Sequence, residues 1–148
     1  SFSLAFLREA KALGLHTCVE TSGFAPFDRL DALAGHTDLF LYDWKESDSV
    51  RHRRWTGAPN ERIRENLLLL DRRGAQIVLR CPVVPGYNDT QAHFAGIAGL
   101  AGQLRGIRKI QIMAYHAMGG CKHERLGRAN PLPSLPTTAR ETAAVQRG

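Results

Sequence analysis

Short β-prone runs alternate with helical patterns along this chain, and this alternation limits the fold more than any single residue does. In the first helical pattern, apolar residues from Phe2 to Leu13 recur at helical spacing, and Gly14 supplies a stop signal just beyond them. Similar reasoning applies to the rest of the chain. It predicts strands over 17–20, 39–42, 76–84 and 109–114, and helices over 2–13, 26–33, 61–73 and 91–104.

The run over 39–42 is Leu-Phe-Leu-Tyr, which is continuously apolar. Such a run is typical of a strand in a parallel sheet that is covered on both faces. Strands that alternate with helices predict an α/β fold with right-handed crossovers, either an open doubly wound sheet or part of a β/α barrel. Four strands are too few to close a barrel alone.

Polar or charged residues stand where each predicted strand ends. Glu20 and Thr21 end the first strand, and Asp43 follows the second. Arg80 lies late in the third, and His116 follows the fourth. Because the carboxyl ends of parallel strands open onto one face, we expect these groups to converge on a single site.

Composition narrows the class of protein. Hydrophobic residues make up 43% of the chain, and no apolar run approaches the roughly 20 residues of a membrane span, so we expect no membrane insertion. The chain begins with Ser1 and has no secretory leader, which suggests a fragment of a cytoplasmic protein.

The three cysteines are far apart, and we expect Cys18 and Cys81 to be buried within strands.

Several short segments stand out along the chain. In order they are Glu-Thr-Ser-Gly at 20–23, Asp-Leu-Phe-Leu-Tyr-Asp-Trp-Lys at 38–45, Thr-Gly-Ala-Pro-Asn at 56–60 with Glu-Asn-Leu at 65–67, Arg-Cys-Pro-Val-Val-Pro-Gly-Tyr-Asn-Asp at 80–89, Tyr-His at 115–116 and Leu-Gly-Arg at 126–128. In this order and spacing they resemble the radical S-adenosylmethionine activating enzymes of glycyl radical enzymes, typified by the pyruvate formate-lyase activating enzyme. The resemblance covers nearly the whole chain.

The resemblance implies that the chain is the C-terminal four β/α units of a partial, roughly six-stranded, TIM-like barrel, with residues 1–148 as a single partial domain. It also implies a [4Fe-4S] cluster and S-adenosylmethionine, whose 5′-deoxyadenosyl radical abstracts hydrogen from a glycine of a partner glycyl radical enzyme. A flavodoxin or ferredoxin would supply the electron. The family's cluster-binding cysteines and its Gly-Gly-Glu-Pro segment are not in this chain, so we expect the N-terminal cluster-binding part to be missing and the fragment alone to be inactive.

Residue by residue, the resemblance assigns cofactor binding to Glu20, Thr21, Asp43 and Lys45. A monovalent cation could lie at Glu20, Thr21 and Asp43, since carboxylate and hydroxyl oxygens suit a small cation. Lys45 could pair with the carboxylate of S-adenosylmethionine. Arg80 matches an arginine that contacts the substrate peptide or stabilises the adenosyl end of the site.

His116 matches the family's Tyr-His near the adenosine, where a neutral imidazole can hydrogen-bond or stack. The other histidines have no partner pattern. We expect them at the surface or at helix ends: His16, His36, His52, His93 and His123.

Two readings of other classes stay open. In the first, the chain is a β/α lyase or aldolase in which Lys45 forms a Schiff base and Asp43 and Glu20 transfer protons. In the second, it is a noncatalytic basic module with a net charge of +6 that binds nucleic acid through 51–54. The charge does not otherwise cluster, and neither reading explains the ordered motifs, so we expect no nucleic-acid partner.

Overall fold

The structure is a computed structural model that describes residues 1–115, and His116, Cys121 and the rest of the chain lie outside the described residues. Helices and strands alternate except where two helices follow β2. In chain order the elements are α1 (Phe2–Ala12), β1 (Cys18–Thr21), α2 (Phe27–Ala34), β2 (Leu39–Asp43), α3 (Ser49–Thr56), α4 (Glu61–Arg72), β3 (Ile77–Val83), α5 (Gln91–Ala101) and β4 (Ile107–Ala114).

The described strands form one parallel sheet in the order β1-β2-β3-β4. Each strand therefore pairs with its neighbour in sequence. This order is expected when each crossover places the next strand directly beside the preceding one and in the same direction. The α/β fold and its parallel sheet are confirmed, and no predicted strand or helix end is off by more than three residues. None of the helices within 1–115 is long and apolar enough to cross a membrane.

Helix α3 was not among the sequence predictions, because its residues are mostly polar and show little helical periodicity. The signals that define it lie at its ends. The Asp48 carboxylate accepts a hydrogen bond from the Arg51 N–H at 2.8 Å, which caps the N-terminus. Gly57 ends the helix in the left-handed conformation, with φ of 86°.

The core lies between the sheet and the helices on one of its faces. Phe40, Tyr42 and Leu79 are fully buried there, and the Tyr42 hydroxyl donates to the Ile63 carbonyl of α4 at 2.7 Å. Their neighbours on the opposite face, such as Leu41, are only half-buried. The expectation that β2 is covered on both faces is therefore wrong for the described residues, since one face of the sheet carries no layer of helices within them.

The two described cysteines differ in environment. Cys81 is buried in the core face of β3, as expected. Cys18 is exposed, so the expectation of a buried thiol is wrong there. Cys18 alternates with Val19 on β1 and falls on the uncovered face of the sheet, and within residues 1–115 that strand pairs only with β2.

Candidate functional site

Three charged side chains meet on the uncovered face of the sheet, near the carboxyl ends of neighbouring strands. Asp43 and Arg80 are direct partners in the β2–β3 register, and Glu20 pairs with Leu41, two residues before Asp43. An Nη1 atom of Arg80 lies 2.7 Å from Glu20 Oε1, and its Nε lies 3.9 Å from Asp43 Oδ1. The predicted convergence of Glu20, Asp43 and Arg80 is thus seen in the structure.

Asp43 carries an unused hydrogen-bond acceptor. Its side chain is 18% exposed, and its Oδ1 atom is buried without a hydrogen-bond partner among the described residues, since Arg80 is too distant to bond it. Burial raises the pKa of this carboxyl, and the nearby charges of Lys45 and Arg80 oppose that rise. The site therefore holds a carboxylate that an added cationic donor would stabilise.

Lys45 lies two residues beyond β2 with an exposed side chain. Its backbone is fixed by Asn88, which is buried and whose amide donates to the carbonyls of Lys45 at 2.7 Å and Pro82 at 2.8 Å. The same Asn88 side chain accepts from the Val84 N–H at 2.6 Å. One asparagine thus joins the segment after β2 to the end of β3, a role that the sequence did not reveal.

Thr21 is the last residue of β1, and its side chain supports the turn that follows. Its hydroxyl accepts a hydrogen bond from the Gly23 N–H at 2.9 Å, and the Gly23 carbonyl accepts from Asn66 on α4 at 2.7 Å. We call Glu20, Asp43, Lys45 and Arg80 the strand-end site. A cavity of about 170 Å³ lies beside it and is lined in part by Asp43 and Lys45.

The monovalent cation is not supported. The guanidinium of Arg80 already lies beside the carboxylates of Glu20 and Asp43, and it supplies the positive charge there. Across residues 1–115, no group of three or more histidine, cysteine, aspartate or glutamate side chains could hold a metal ion.

A buried polar network that sequence reasoning missed supports the loop after β2. Glu46 is 2% exposed, and its Oε1 accepts from the N–H groups of Ser47 at 2.8 Å and Asp48 at 3.0 Å. Arg51 Nε lies 3.3 Å from Glu46 Oε2. His93 is 1% exposed, and its Nδ1 accepts from the Ser47 N–H at 3.1 Å. Ser47 and His93 are 46 residues apart in sequence, so no local sequence pattern predicts their contact.

The expectation of a surface position is wrong for His52 and His93, because both are buried. His93 does lie at a helix end, in the first turn of α5. His52 Nδ1 lies 2.6 Å from the Ala58 carbonyl and closes the turn after α3. The four residues of the basic run at 51–54 therefore differ in their exposure to solvent. Arg51 and His52 are engaged within the protein, whereas Arg53 and Arg54 are exposed.

We expect acid to destabilise the protein through His93. Burial lowers the pKa of its imidazole below 6.5, and the nearby Glu46 opposes this shift. As pH falls below 6.5, the unfolded state binds a proton that the folded state resists, so stability is lost until the pH passes the folded pKa. Urea unfolding of the protein at neutral pH and at about pH 5 would measure the loss.

The matched variants are His93→Gln and, as a control, His16→Gln at an exposed position. The first should reduce the dependence of stability on pH in this range, and the second should leave it unchanged. Equal slopes in the two variants would show that His93 is not the group responsible.

A parallel α/β sheet with charged groups gathered at its strand carboxyl ends has the layout in which β/α folds place their active sites. No protein-family model matches the chain. Curated relatives do. The isethionate sulfite-lyase activating enzyme of Nitratidesulfovibrio vulgaris is 41% identical over 141 residues, which are 94% of this chain and 45% of that protein.

Two further relatives carry related names. The (2S)-3-sulfopropanediol sulfolyase activating enzyme of Bilophila wadsworthia is 37% identical over 136 residues, covering 90% of this chain and 45% of that protein. The pyruvate formate-lyase-activating enzyme of Staphylococcus epidermidis is 32% identical over 126 residues, covering 81% of this chain and 50% of that protein. The chain belongs to the family of glycyl radical enzyme activating enzymes, as the motifs predicted. It spans about half the length of these relatives.

Solved structures agree on the fold. A domain of a pyruvate-formate lyase-activating enzyme from Bacteroides vulgatus superposes with a TM-score of 0.77 at 22% identity, covering 98% of this chain and 82% of that one. A structure of TYW1 with a bound lysine-pyruvate adduct gives 0.54 at 15% identity, covering 76% of this chain and 37% of that one. The fold class predicted from sequence, part of a TIM-like radical S-adenosylmethionine barrel, is consistent with these matches.

Proposed function

We propose that this chain is the C-terminal portion of a radical S-adenosylmethionine activase that generates a glycyl radical on a partner enzyme. The observation that carries the proposal is the strand-end site, in which three strands bring Glu20, Asp43 and Arg80 together in a chain of this family. We further propose that residues 1–148 are one partial barrel domain of a cytoplasmic protein, with a flavodoxin or ferredoxin as the electron donor.

The described residues fit S-adenosylmethionine at its charged end. The buried, unpartnered Oδ1 atom of Asp43 can accept a hydrogen bond from the amino group of the cofactor, and the exposed ammonium of Lys45 can pair with its carboxylate. Arg80 reaches from β3 across β2 and holds Glu20 in place. When bound, the cofactor supplies the adenosyl group that removes hydrogen from the partner's glycine. His116, proposed for the adenosine, lies outside the described residues.

The described residues do not fit the [4Fe-4S] cluster. Cluster ligands are thiolates, whereas burial and the nearby Asp43 carboxylate raise the pKa of the Cys81 thiol to about 12. Cys18 is the other cysteine within 1–115, and it lies exposed on a different strand. We therefore expect that reconstitution of this chain with iron and sulfide gives no [4Fe-4S] absorption.

The class of partner is proposed from the relatives. Two of those described above are named for enzymes that release sulfite or cleave sulfonates, so we propose a carbon–sulfur lyase of the glycyl radical type as the partner. The encoding DNA upstream of Ser1 tests the activase itself. Three cysteines separated by three and then two residues, followed by Gly-Gly-Glu-Pro, are expected there.

The protein with that upstream part would then be incubated anaerobically with S-adenosylmethionine, a reductant and an isethionate sulfite-lyase. A glycyl radical signal in electron paramagnetic resonance is the expected result. An initiator methionine directly before Ser1 would contradict the proposal.

The other readings have less support. Lys45 is exposed, whereas a Schiff-base lysine is commonly activated inside an apolar pocket. Trapping of a carbonyl substrate on Lys45 by borohydride would instead favour the lyase or aldolase. Nucleic-acid binding through 51–54 has less support because two of the four side chains, those of Arg51 and His52, make contacts within the protein.

A further inference from the structure

Backbone pairing between β2 and β3 is interrupted at Pro82, next to the strand-end site. The register pairs Asp43 with Arg80, and the Trp44 N–H donates to the Arg80 carbonyl at 2.8 Å. In a parallel pair, the next bond would come from the N–H of the residue two positions after Arg80, which is Pro82. Proline has no N–H, so the ladder cannot continue toward Lys45.

The side chain of Asn88 links the two strands where the ladder is interrupted. Asn88 is 4% exposed, and its amide donates to the carbonyls of Lys45 at 2.7 Å and Pro82 at 2.8 Å. The register that pairs Asp43 with Arg80, continued by two residues, would place Lys45 opposite Pro82. One side chain therefore supplies the link between strands that the backbone of Pro82 cannot make.

Asn88 is itself fixed in place. Its side-chain oxygen accepts from the Val84 N–H at 2.6 Å, and its own backbone N–H donates to the Val84 carbonyl at 3.2 Å. Both donors and the oxygen of the side-chain amide are thus in use. An aspartate has nearly the same shape, but its carboxylate could not donate to the two carbonyl oxygens that it would face. The geometry therefore favours an amide over a carboxylate at this position.

The direction in which Lys45 leaves the backbone depends on this link. The neighbours of Lys45 on either side, Trp44 and Glu46, are buried, whereas the Lys45 side chain is exposed and is not held by packing. A lysine side chain is flexible, so its ammonium reaches a given point reliably only when the backbone that carries it is fixed. Asn88 fixes that backbone at the carbonyl of Lys45 itself.

We propose that Asn88 is a positioning residue for Lys45. It replaces the interrupted ladder and directs the ammonium of Lys45 toward the carboxylate of the cofactor. Asn88 does not touch the cofactor and acts through Lys45. The inference rests on the proposed function for the ligand of Lys45, and on the contacts of Asn88 for the positioning.

The first test needs no ligand. Backbone ¹⁵N relaxation of the 148-residue chain gives the order parameters of the Trp44 and Lys45 N–H groups. In Asn88→Asp the order parameter of Lys45 should fall. That of Trp44 should stay near the value of a rigid backbone, about 0.85, because its N–H remains bonded to the Arg80 carbonyl. An unchanged order parameter of Lys45 would overturn the inference.

Asn66→Asp is the matched control. Asn66 is 3% exposed, and its amide donates to the carbonyls of Gly23 at 2.7 Å and Ala25 at 2.8 Å, after β1. The two substitutions remove the same chemistry at similarly buried positions, so both should lower stability. Only Asn88→Asp should loosen Lys45. If both variants loosen Lys45 equally, the cause is general destabilisation and the inference is wrong.

Pro82→Ala tests whether Asn88 replaces the ladder. The substitution returns an N–H to β3 on the side that faces β2, where the ladder can continue. In this background, Asn88→Ala should loosen Lys45 less than it does in the wild type. Asn88→Ala adds no carboxylate, so it also serves if Asn88→Asp does not fold. Equal loosening in the two backgrounds would contradict the inference.

A double-mutant cycle with S-adenosylhomocysteine tests the consequence for binding, because this ligand carries the same carboxylate. Lys45→Gln should weaken binding by roughly tenfold, as expected for the loss of one hydrogen bond to a charged group. Asn88→Asp should weaken it by a similar factor, and the double variant should bind no more weakly than Lys45→Gln. Losses that multiply would show that Asn88 acts independently of Lys45, which would overturn the inference.

The two measurements keep the inference apart from the proposed function. If Lys45 loosens as expected while S-adenosylhomocysteine does not bind the wild type, the proposed function loses support and the positioning role of Asn88 stands. If the wild type binds this ligand and Asn88→Asp changes neither the affinity nor the order parameter of Lys45, the proposed function stands and the inference is wrong.

Discussion

Gly23→Ala should destabilise the protein by roughly 2–5 kcal/mol, through backbone strain and overpacking together. Gly23 has φ of +70°, a conformation that side chains other than glycine rarely adopt. An added Cβ would lie 1.6 Å from the Tyr42 hydroxyl oxygen and 2.1 Å from its Cζ. Tyr42 cannot move away easily, because its ring is fully buried and its hydroxyl donates to the Ile63 carbonyl.

Gly57→Ala is the matched control. Gly57 also has a positive φ, of +86°, but nothing lies within 4 Å of an added Cβ. Its substitution should therefore cost only the backbone strain, about 1 kcal/mol. Chemical denaturation of both variants gives the two free energies of unfolding. Equal losses would show that the contact with Tyr42 is not what requires glycine at position 23.

This contact explains part of the Glu-Thr-Ser-Gly motif in structural terms. Tyr42 of β2 occupies the space that a side chain at position 23 would need, and Asn66 of α4 donates to the Gly23 carbonyl. The turn after β1 is thus pressed against the helical layer on one side. Glu20, on the other face of β1, is left free to reach Arg80.

The fold was largely predictable because its signals are local. Apolar residues at helical spacing, β-prone runs and glycine stop signals predicted the strands and most helices. The parallel sheet followed from the alternation of these elements along the chain. Helix α3 was missed, since it is stabilised at its ends by Asp48 and Gly57 more than by an apolar face. Cys18 was misjudged because strand propensity does not reveal which face of a strand is covered.

The site was predictable only in part, for a related reason. Register alone brings Asp43 and Arg80 side by side, so their approach follows from the parallel sheet. Asn88 contacts Lys45, which is 43 positions away in the sequence. His93 contacts Ser47, which is 46 positions away. Nothing in the local sequence around a single asparagine or histidine indicates a partner at such a distance.

Asp43→Asn should stabilise the protein and at the same time weaken binding of S-adenosylmethionine. The pKa of Asp43 is raised above 3.8 by burial, so the folded state binds its proton more tightly than the unfolded state does. The stability that this proton provides is lost as pH rises from 3.8 through the folded pKa, and the ionised carboxylate is a cost at neutral pH. Asparagine removes that cost, and Arg80 keeps Glu20 as its partner. We expect an increase in Tm of roughly 2–4 °C.

Asp38→Asn provides a control of opposite sign. The hydrogen bond from Lys11 and that from the Thr17 N–H hold the pKa of Asp38 well below its usual range. Its ionised form therefore stabilises the fold above pH 3.8, and this contribution is lost as pH falls through the folded pKa. Its neutral variant should lower Tm at neutral pH and leave cofactor binding unchanged.

Thermal scans and isothermal titration calorimetry with S-adenosylmethionine on both variants separate the two roles. A carboxylate kept at a cost in stability is typical of a functional site. If Asp43→Asn instead lowered Tm and kept full affinity, Asp43 would be a structural partner of Arg80, and the cofactor would have to be held by other residues.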